Sequence, residues 1–536
     1  MATYVSHPRI VPDKVEEREY QMRMAAACSE HSTLLILPTG LGKTIVALYV
    51  ATDVLEKGKK VMILAPTKPL VDQHHSTFSS LLINTKVGVM TGNLPPEKRK
   101  NVIEENDVIV ATPQAAANDL ENKLYGLNEF GLMIYDEAHR GTGDYAYVAV
   151  AKNYKGLSMG MTASPGSERE RLDEICTNLS LKRIDMRSED DPDVSPYTYN
   201  VTINRIELDL PQDLSDIVAI LNKMLNEYVT ELINLRALQP TENISAKRLL
   251  IAGRTLQFRH KMGERSATLF RAMSVQSMAM KISHAVLLAE TQGTTVLRAY
   301  MQKLMDGSED KVGNGDSVNG NGKVCRGGKA EKGGKGDKEI VSRKEYKDVC
   351  KILSETKTEH PKISRLMSLV SKEVNSRPSS KVMVFSHYRN TCDLLTEKLA
   401  SIEGVSVGKL IGQSAGGLKQ KEQTELLKKF RDGTYNVIVA TSVGEEGLDV
   451  TSTDLVIFYE NVPSEIRTIQ RRGRTGRKND GMIYVLTTKG TRDEAFEEVS
   501  RKKEDLMIKR LRKMRESIRS DPIPKQIQKD ITKFGP

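Results

Sequence analysis

The stretch Leu34-Leu35-Ile36-Leu37-Pro38-Thr39-Gly40-Leu41-Gly42-Lys43-Thr44 constrains this chain more than any other. The apolar run from Thr33 to Leu37 reads as a buried strand, and Ile45, Val46, Leu48 and Tyr49 follow at helical spacing. Strand, glycine-bearing turn, Lys-Thr and helix, in that order, make the setting of a phosphate-binding loop. Glycine lets the loop turn tightly and aim backbone N–H groups at phosphates, and the helix N-terminus adds partial positive charge. Pro38, Thr39, Gly40, Leu41, Gly42, Lys43 and Thr44 are thus the expected ATP-phosphate contacts. Lys43 neutralises the β- and γ-phosphates, and Thr44 offers a hydroxyl to Mg²⁺. One departure shows: Leu37 stands where such loops usually open with glycine.

Short apolar runs alternate with helical patterns on both sides of that loop. Candidate strands are Thr33–Leu37, Val61–Ala65, Val108–Ala111, Leu132–Tyr135 and Leu157–Met161 in a first domain, residues 1–195. Lys381–Phe385, Val437–Ala440, Leu455–Tyr459 and Met482–Leu486 follow in a second, residues 378–495. The alternation predicts α/β domains with parallel sheets, whose ligands sit beyond the carboxyl ends of the strands.

The informative residues fall at those ends. Asp136-Glu137-Ala138-His139 follows a strand about ninety residues after the loop. Asp136 is expected to hold Mg²⁺ largely through water, and Glu137 to orient the attacking water. His139, and the hydroxyls of Thr162 and Ser164 after the next strand, are candidates for coupling the nucleotide site to the rest of the protein. Upstream, Arg18-Glu19-Tyr20-Gln21 offers an amide able to pair with both edges of adenine, so Gln21 and Arg18 join the nucleotide set. Pro66, Thr67 and Lys68, Thr91 and Gly92, and Thr112 and Pro113 place hydroxyls, N–H groups and a lysine where a nucleic-acid backbone is contacted without reading sequence. Each of these loops taken alone is an ordinary loop. In the second domain, Gln470-Arg471-Arg472-Gly473-Arg474-Thr475-Gly476-Arg477 is too rich in close-set glycine for a merely solvated basic face. Facing the phosphate loop across a cleft, Arg474 and Arg477 act as arginine fingers.

A formal net charge of +10 suits a polyanionic partner. The five cysteines are scattered without any C-x-x-C, which argues against a zinc site or a disulfide framework and suits a reducing cytoplasm, nucleoid-associated in a prokaryote. No apolar run approaches the ~18 residues of a membrane span.

The order of these motifs resembles superfamily 2 helicases of the DEAH type with two RecA-like domains. The run Asp136-Glu137-Ala138-His139-Arg140-Gly141-Thr142-Gly143-Asp144-Tyr145-Ala146-Tyr147, the run Thr441 to Asp449 and the run Gln470 to Arg477 are similar to the archaeal Hef and eukaryotic FANCM family over about residues 10–500. The resemblance implies a catalytic place for Gln470, nucleotide contacts at Gly447 and Asp449, and nucleic-acid contacts at Ser386, His387 and Thr441. It also implies that the long insertion, residues 196–377, is a thumb-like helical domain gripping branched or duplex DNA.

Within that insertion, Leu214–Leu238 and Ala246–Thr291 show helical apolar spacing. Residues 246–283 carry eight Lys or Arg and one Glu, either a duplex-tracking face or the solvated side of a bundle. Residues 307–337 include ten glycines and no Leu, Ile or aromatic, which predicts a disordered loop. Ser342-Arg343-Lys344-Glu345-Tyr346-Lys347-Asp348 echoes an XPF-type nuclease motif but lacks its glutamate, and reads as a charged helix. Residues 496–536 read as a basic amphipathic tail that packs on the second domain, touches DNA, or binds a separate nuclease or sliding clamp; about 40 residues leave no room for a nuclease domain. The expected function is an ATP-dependent, Mg²⁺-dependent DNA helicase or translocase on forked or branched DNA in fork repair and recombination. Its rivals are an RNA helicase or duplex-RNA-stimulated ATPase, and an ATP-regulated nucleic-acid clamp.

Overall fold

The structure, a computed structural model, describes residues 3–519 except 167, 190, 199–200, 241–244, 309–334, 413–417, 442–452 and 461–480. Its first sheet has seven described strands: β1 (Thr33–Ile36), β2 (Lys60–Leu64), β3 (Val87–Met90), β4 (Val108–Ala111), β5 (Phe130–Asp136), β6 (Leu157–Thr162) and β7 (Arg183–Met186). They lie in the order β3-β4-β2-β5-β6-β1-β7, all parallel. Helices cover both faces, so two separate apolar clusters flank the sheet, one holding Leu35, Ile63 and Val110, the other Leu34, Met62 and Ile109. The alternation of neighbours between clusters is the period of two that a pleated strand imposes.

The second sheet comprises β8 (Val201–Leu208), β9 (Val382–Phe385), β10 (Val407–Leu410), β11 (Val437–Ala440), β12 (Leu455–Phe458) and β13 (Gly481–Thr488), in the order β10-β11-β9-β12-β13-β8. Here the structure departs from the boundaries drawn in sequence. Strand β8 lies within residues assigned to the insertion, yet it pairs in parallel with β13 over eight residues, Gly481↔Val201 to Thr488↔Leu208. The second domain therefore begins before the insertion.

The insertion is helical: Gln212–Asn234, Ala246–Lys261, Ala267–Thr291, Thr294–Ser308, Lys335–Ser342, Lys344–Glu355 and Pro361–Ser376. The continuous pattern expected over Ala246–Thr291 is broken at Gly263, φ +99°, and restarts at Ser266, whose hydroxyl accepts the Leu269 N–H as an N-cap. The expected loop is helical at both ends, through Ser308 and from Lys335; the stretch between, 309–334, lies outside the described residues. The nuclease-like echo does sit on a charged helix start, Arg343 pairing with Glu227 and Glu345. The insertion shares one hydrophobic core with the second sheet, running from Leu214, Met224 and Val286 to Val384, Val437 and Ile457. A 28-residue helix, Arg492–Arg519, starts on the second domain and delivers Met507 into the core of the first, so the tail does not simply lie on the second domain. No described helix is long and apolar enough to cross a membrane.

Candidate active site

Sheet order gathers the site. Strands β5, β6 and β1 are neighbours, with Asp136↔Met161 and Ile36↔Thr162 in register. Their carboxyl ends therefore set Asp136-Glu137, Thr162-Ser164 and the phosphate loop side by side. Leu37 N–H donates to the Thr162 carbonyl at 3.1 Å, tying the loop to that edge.

The loop turns through Gly40 (φ +90°) and Gly42 (φ +83°), left-handed conformations that favour glycine. Gly42 caps the helix Lys43–Glu56. Leu37, the residue in place of the usual glycine, has its side chain fully buried in the domain core, so its apolar bulk is used in packing. Lys43 Nζ donates to the Leu37 carbonyl at 2.9 Å, folding the ammonium over the loop. The Tyr20 hydroxyl and the Gln21 amide both donate to the Leu41 carbonyl, at 2.7 and 3.0 Å. Gln21 is 2% exposed and also donates to the Tyr20 hydroxyl. Its amide thus buttresses the loop, and turning it toward a base takes a rotation that gives up these bonds. Arg18 is held by Glu16 and lies over the Tyr197 ring at 4.7 Å.

Asp136 ends β5 and is buried. Burial alone would raise its carboxyl. The charge and 2.8 Å hydrogen bond of His74, then the Lys43 ammonium and a backbone N–H, outweigh it and hold the carboxyl below the ordinary range. Its backbone carbonyl accepts from the Tyr147 hydroxyl, which also donates to Leu64 O at 3.0 Å. Glu137 takes a left-handed turn (φ 49°), unusual for a non-glycine residue and a mark of functional sites. His139 Nδ1 lies 3.2 Å from Glu137 Oε2 and within hydrogen-bonding distance, 3.3 Å, of Thr162 Oγ1. Thr162 Oγ1 in turn donates to Ser164 O at 3.0 Å and accepts Ser164 N–H at 3.1 Å. His74 and Tyr147 carried no role in the sequence reading; the one signal for His74 was a histidine one helical stretch after Lys68.

The other half of the same edge, β2, β4 and β3, carries the three candidate nucleic-acid loops. Thr67 and Thr112 are the N-caps of helices Lys68–Leu81 and Pro113–Glu121, so N–H groups of two helix starts face that edge. Pro66 and Lys68 are half-buried beside Thr67, Gly92 is exposed, and Thr91 and Pro113 are buried. In the second domain Ser386 and Thr441 end the neighbouring strands β9 and β11. Ser386 is fully buried with its hydroxyl on the Glu460 carboxylate, Thr441 is buried, and His387 is exposed. A Ser386 hydroxyl sealed in this way is turned inward rather than toward a ligand. Gly447, Asp449, Gln470, Arg474 and Arg477 lie outside the described residues.

The chain matches three family descriptions: the type III restriction enzyme res subunit over 14–167, an ATP-dependent RNA helicase helical bundle over 213–319, and the helicase conserved C-terminal domain over 361–479. A protein of Methanocaldococcus jannaschii, provisionally named an ATP-dependent RNA helicase, is 34% identical over 95% of this chain and 63% of its own length. The Fanconi anemia group M protein of Gallus gallus is 30% identical over 91% of this chain, which spans 26% of that protein. The ATP-dependent DNA helicase MPH1 of Coccidioides immitis is 30% identical over 89% of this chain and 44% of its own length. The chain thus spans less than two thirds of these relatives. The crystal structure of the Pyrococcus furiosus Hef helicase domain superposes with a TM-score of 0.66 at 39% identity, covering 90% of this chain and 98% of that one. With its phosphate loop, its DEAH carboxylates and its bundle inserted into the second sheet, the chain belongs to the Hef and FANCM family of ATP-dependent helicases.

Proposed function

We propose that the chain is an ATP-driven motor that moves on DNA and acts on forked or branched structures in fork repair and recombination. One observation supports this above others. The carboxyl edge of the first sheet carries the nucleotide groups on β5, β6 and β1 and three hydroxyl-bearing loops on β2, β4 and β3, so a shift at one half is felt at the other. Lys43 holds the phosphates. Asp136 keeps one carboxylate oxygen on His74 and has the other for a hydrated cation, and Thr44 adds a hydroxyl; this hard-oxygen set fits Mg²⁺, which would screen phosphate charge there. Glu137, held by His139, orients the water, and Arg474 and Arg477 supply transition-state charge.

The insertion adds a second surface. Lys247, Arg248, Arg254, Lys261 and Arg265 are exposed on the helical hairpin formed by Ala246–Lys261 and the start of Ala267–Thr291. Exposed Phe258, Met262 and Phe270 lie among them, a mix of cations and stacking groups suited to nucleic acid near a branch. Three other cations of this stretch, Arg259, Arg271 and Lys281, are instead paired with Glu264, with Glu231 and Glu339, and with Asp337.

The names of the M. jannaschii relative and of the matching helical-bundle family favour a second reading, an RNA track. ATP hydrolysis is to be measured with no nucleic acid, single-stranded DNA, duplex DNA, a four-way junction and duplex RNA. Strongest stimulation by the junction supports the branched-DNA motor, and strongest stimulation by duplex RNA replaces it with the second reading. Stimulation without strand displacement points to a clamp.

A further inference from the structure

Helix Arg492–Arg519 is rooted in one half of the molecule and ends a chain of polar contacts in the other. At its root, Asp493 is fully buried, paired with Lys362 of helix Pro361–Ser376, and accepts the Thr488 N–H at 3.0 Å. Arg492 reaches the insertion: its N–H donates to Glu290 at 3.2 Å, and its guanidinium donates to the Ser283 carbonyl at 2.6 Å. Fifteen residues on, roughly 22 Å along a helix at 1.5 Å per residue, Met507 is 4% exposed in the first-domain cluster that holds Tyr135, Ala138 and Leu179. The Ser164 hydroxyl donates to its sulfur at 3.0 Å.

Ser164 is the last member of the chain Glu137, His139, Thr162, Ser164, in which no contact exceeds 3.3 Å. A change in the pose of Glu137 therefore has a packed path to Met507, and from there a stiff helix leads to Ser283 and Glu290 in the insertion. Helix Arg492–Arg519 is fixed at its base by a buried ion pair, so a push at Met507 is borne by the helix as a body rather than absorbed at its root. We propose that Met507 is a positioning residue: through Ser164 it reads the nucleotide state of the first domain and passes it, along the last helix, to the insertion's grip on nucleic acid. This rests on the reading of the site as an ATP-driven motor.

The experiment measures the Kd of the full 536-residue chain for a fluorescein-labelled forked DNA, without nucleotide and with ADP plus aluminium fluoride. The ratio of the two Kd values is the coupling between sites, typically about 5- to 150-fold in linked systems. Met507→Ala is expected to bring that ratio at least about fivefold closer to one while the nucleotide-free Kd stays within about twofold. Met507→Leu keeps the buried volume but has no sulfur to accept from the Ser164 hydroxyl, and is expected to lower the ratio as Ser164→Ala does while its melting curve stays close to wild type. Ser164→Ala, which removes only a hydroxyl, is expected to lower the ratio as well, and serves if the Met507→Ala chain fails to fold, as read by its melting curve. An unchanged ratio in Met507→Ala, or in Ser164→Ala where that variant stands in, overturns the proposal. So does a Met507→Leu ratio equal to that of the wild type. A wild-type ratio of one overturns the underlying motor reading, and the inference with it; a wild-type ratio far from one that no variant alters overturns the inference alone.

Discussion

Asp493→Ala removes one half of an ion pair in which both side chains are completely shielded from solvent. The Lys362 ammonium is left with the Tyr459 ring, 5.6 Å away, in place of a carboxylate. The Thr488 N–H loses its acceptor in the same step. Breaking a buried pair from one side costs about 3–5 kcal/mol, because the remaining charge stays desolvated. The orphaned amide belongs to the same network, so its ~1–3 kcal/mol overlaps with that figure rather than adding to it. The expected loss is thus about 3–5 kcal/mol, read as a lower urea midpoint with an unchanged slope. Lys362→Met combined with Asp493→Leu replaces both charges by apolar groups and is expected to recover all but about 1 kcal/mol. An Asp493→Ala chain that loses less than about 1 kcal/mol would refute the reasoning, since the ammonium would then have reached water or another partner without cost.

Lys43→Ala and Glu137→Gln are each expected to cut ATP turnover by about 100-fold or more, with nucleic-acid binding retained in a fluorescence titration. His74→Ala frees the Asp136 carboxylate to rotate and is expected to lower turnover about tenfold, in the range of partners that orient a metal-holding group, with the fold intact by circular dichroism. Gly42→Ala forces a Cβ to within 2.4 Å of Gln21 Nε2 at φ +83° and is expected to raise the KM for ATP, a change that Gln21→Ala in the same chain partly reverses. His360, buried and beside the Lys362 ammonium, has its pKa pushed down to about 3 from 6.5. Between those values the unfolded chain holds a proton that the folded chain lacks, so the stability is complete above pH 6.5 and falls as pH drops toward 3. The slope is at most about 1.4 kcal/mol per pH unit, and His360→Gln is expected to flatten the urea midpoint between pH 5 and 6.5.

The central strands of both sheets were legible because they are buried on both faces. Val108–Ala111 and Val437–Ala440 are shielded at every position and read as unbroken apolar runs. The strands that sequence did not mark, β3, β7, β8 and β10, are the four sheet edges. An edge strand needs only one apolar face, so Val87-Gly88-Val89-Met90 and Arg183-Ile184-Asp185-Met186 dilute their signal with half-exposed positions. The phosphate loop and the DEAH carboxylates were legible because each is a short contiguous run at a strand end, the glycines required by positive φ and the acids by the chemistry of a phosphate site. His74 was not, since its pairing with Asp136 joins residues 62 apart in sequence and depends on which strands become neighbours. Gly263 and Ser266 did carry a stop and a cap, but the apolar spacing on either side masked them.

Strand β8 decides what a fragment of this protein has to contain. A piece starting at residue 378 leaves one edge of strand Gly481–Thr488 without its partner along eight residues, a bare ladder of the kind that recruits strands from other chains and aggregates, while its other edge stays paired with β12. A soluble isolated second lobe has to begin before Val201, and it then carries the whole helical bundle as a loop between its first two strands. The bundle cannot be trimmed away by truncation from either end, and because it shares one hydrophobic core with the second sheet, excising it would strip that core bare. Whatever the bundle grips travels with the second lobe.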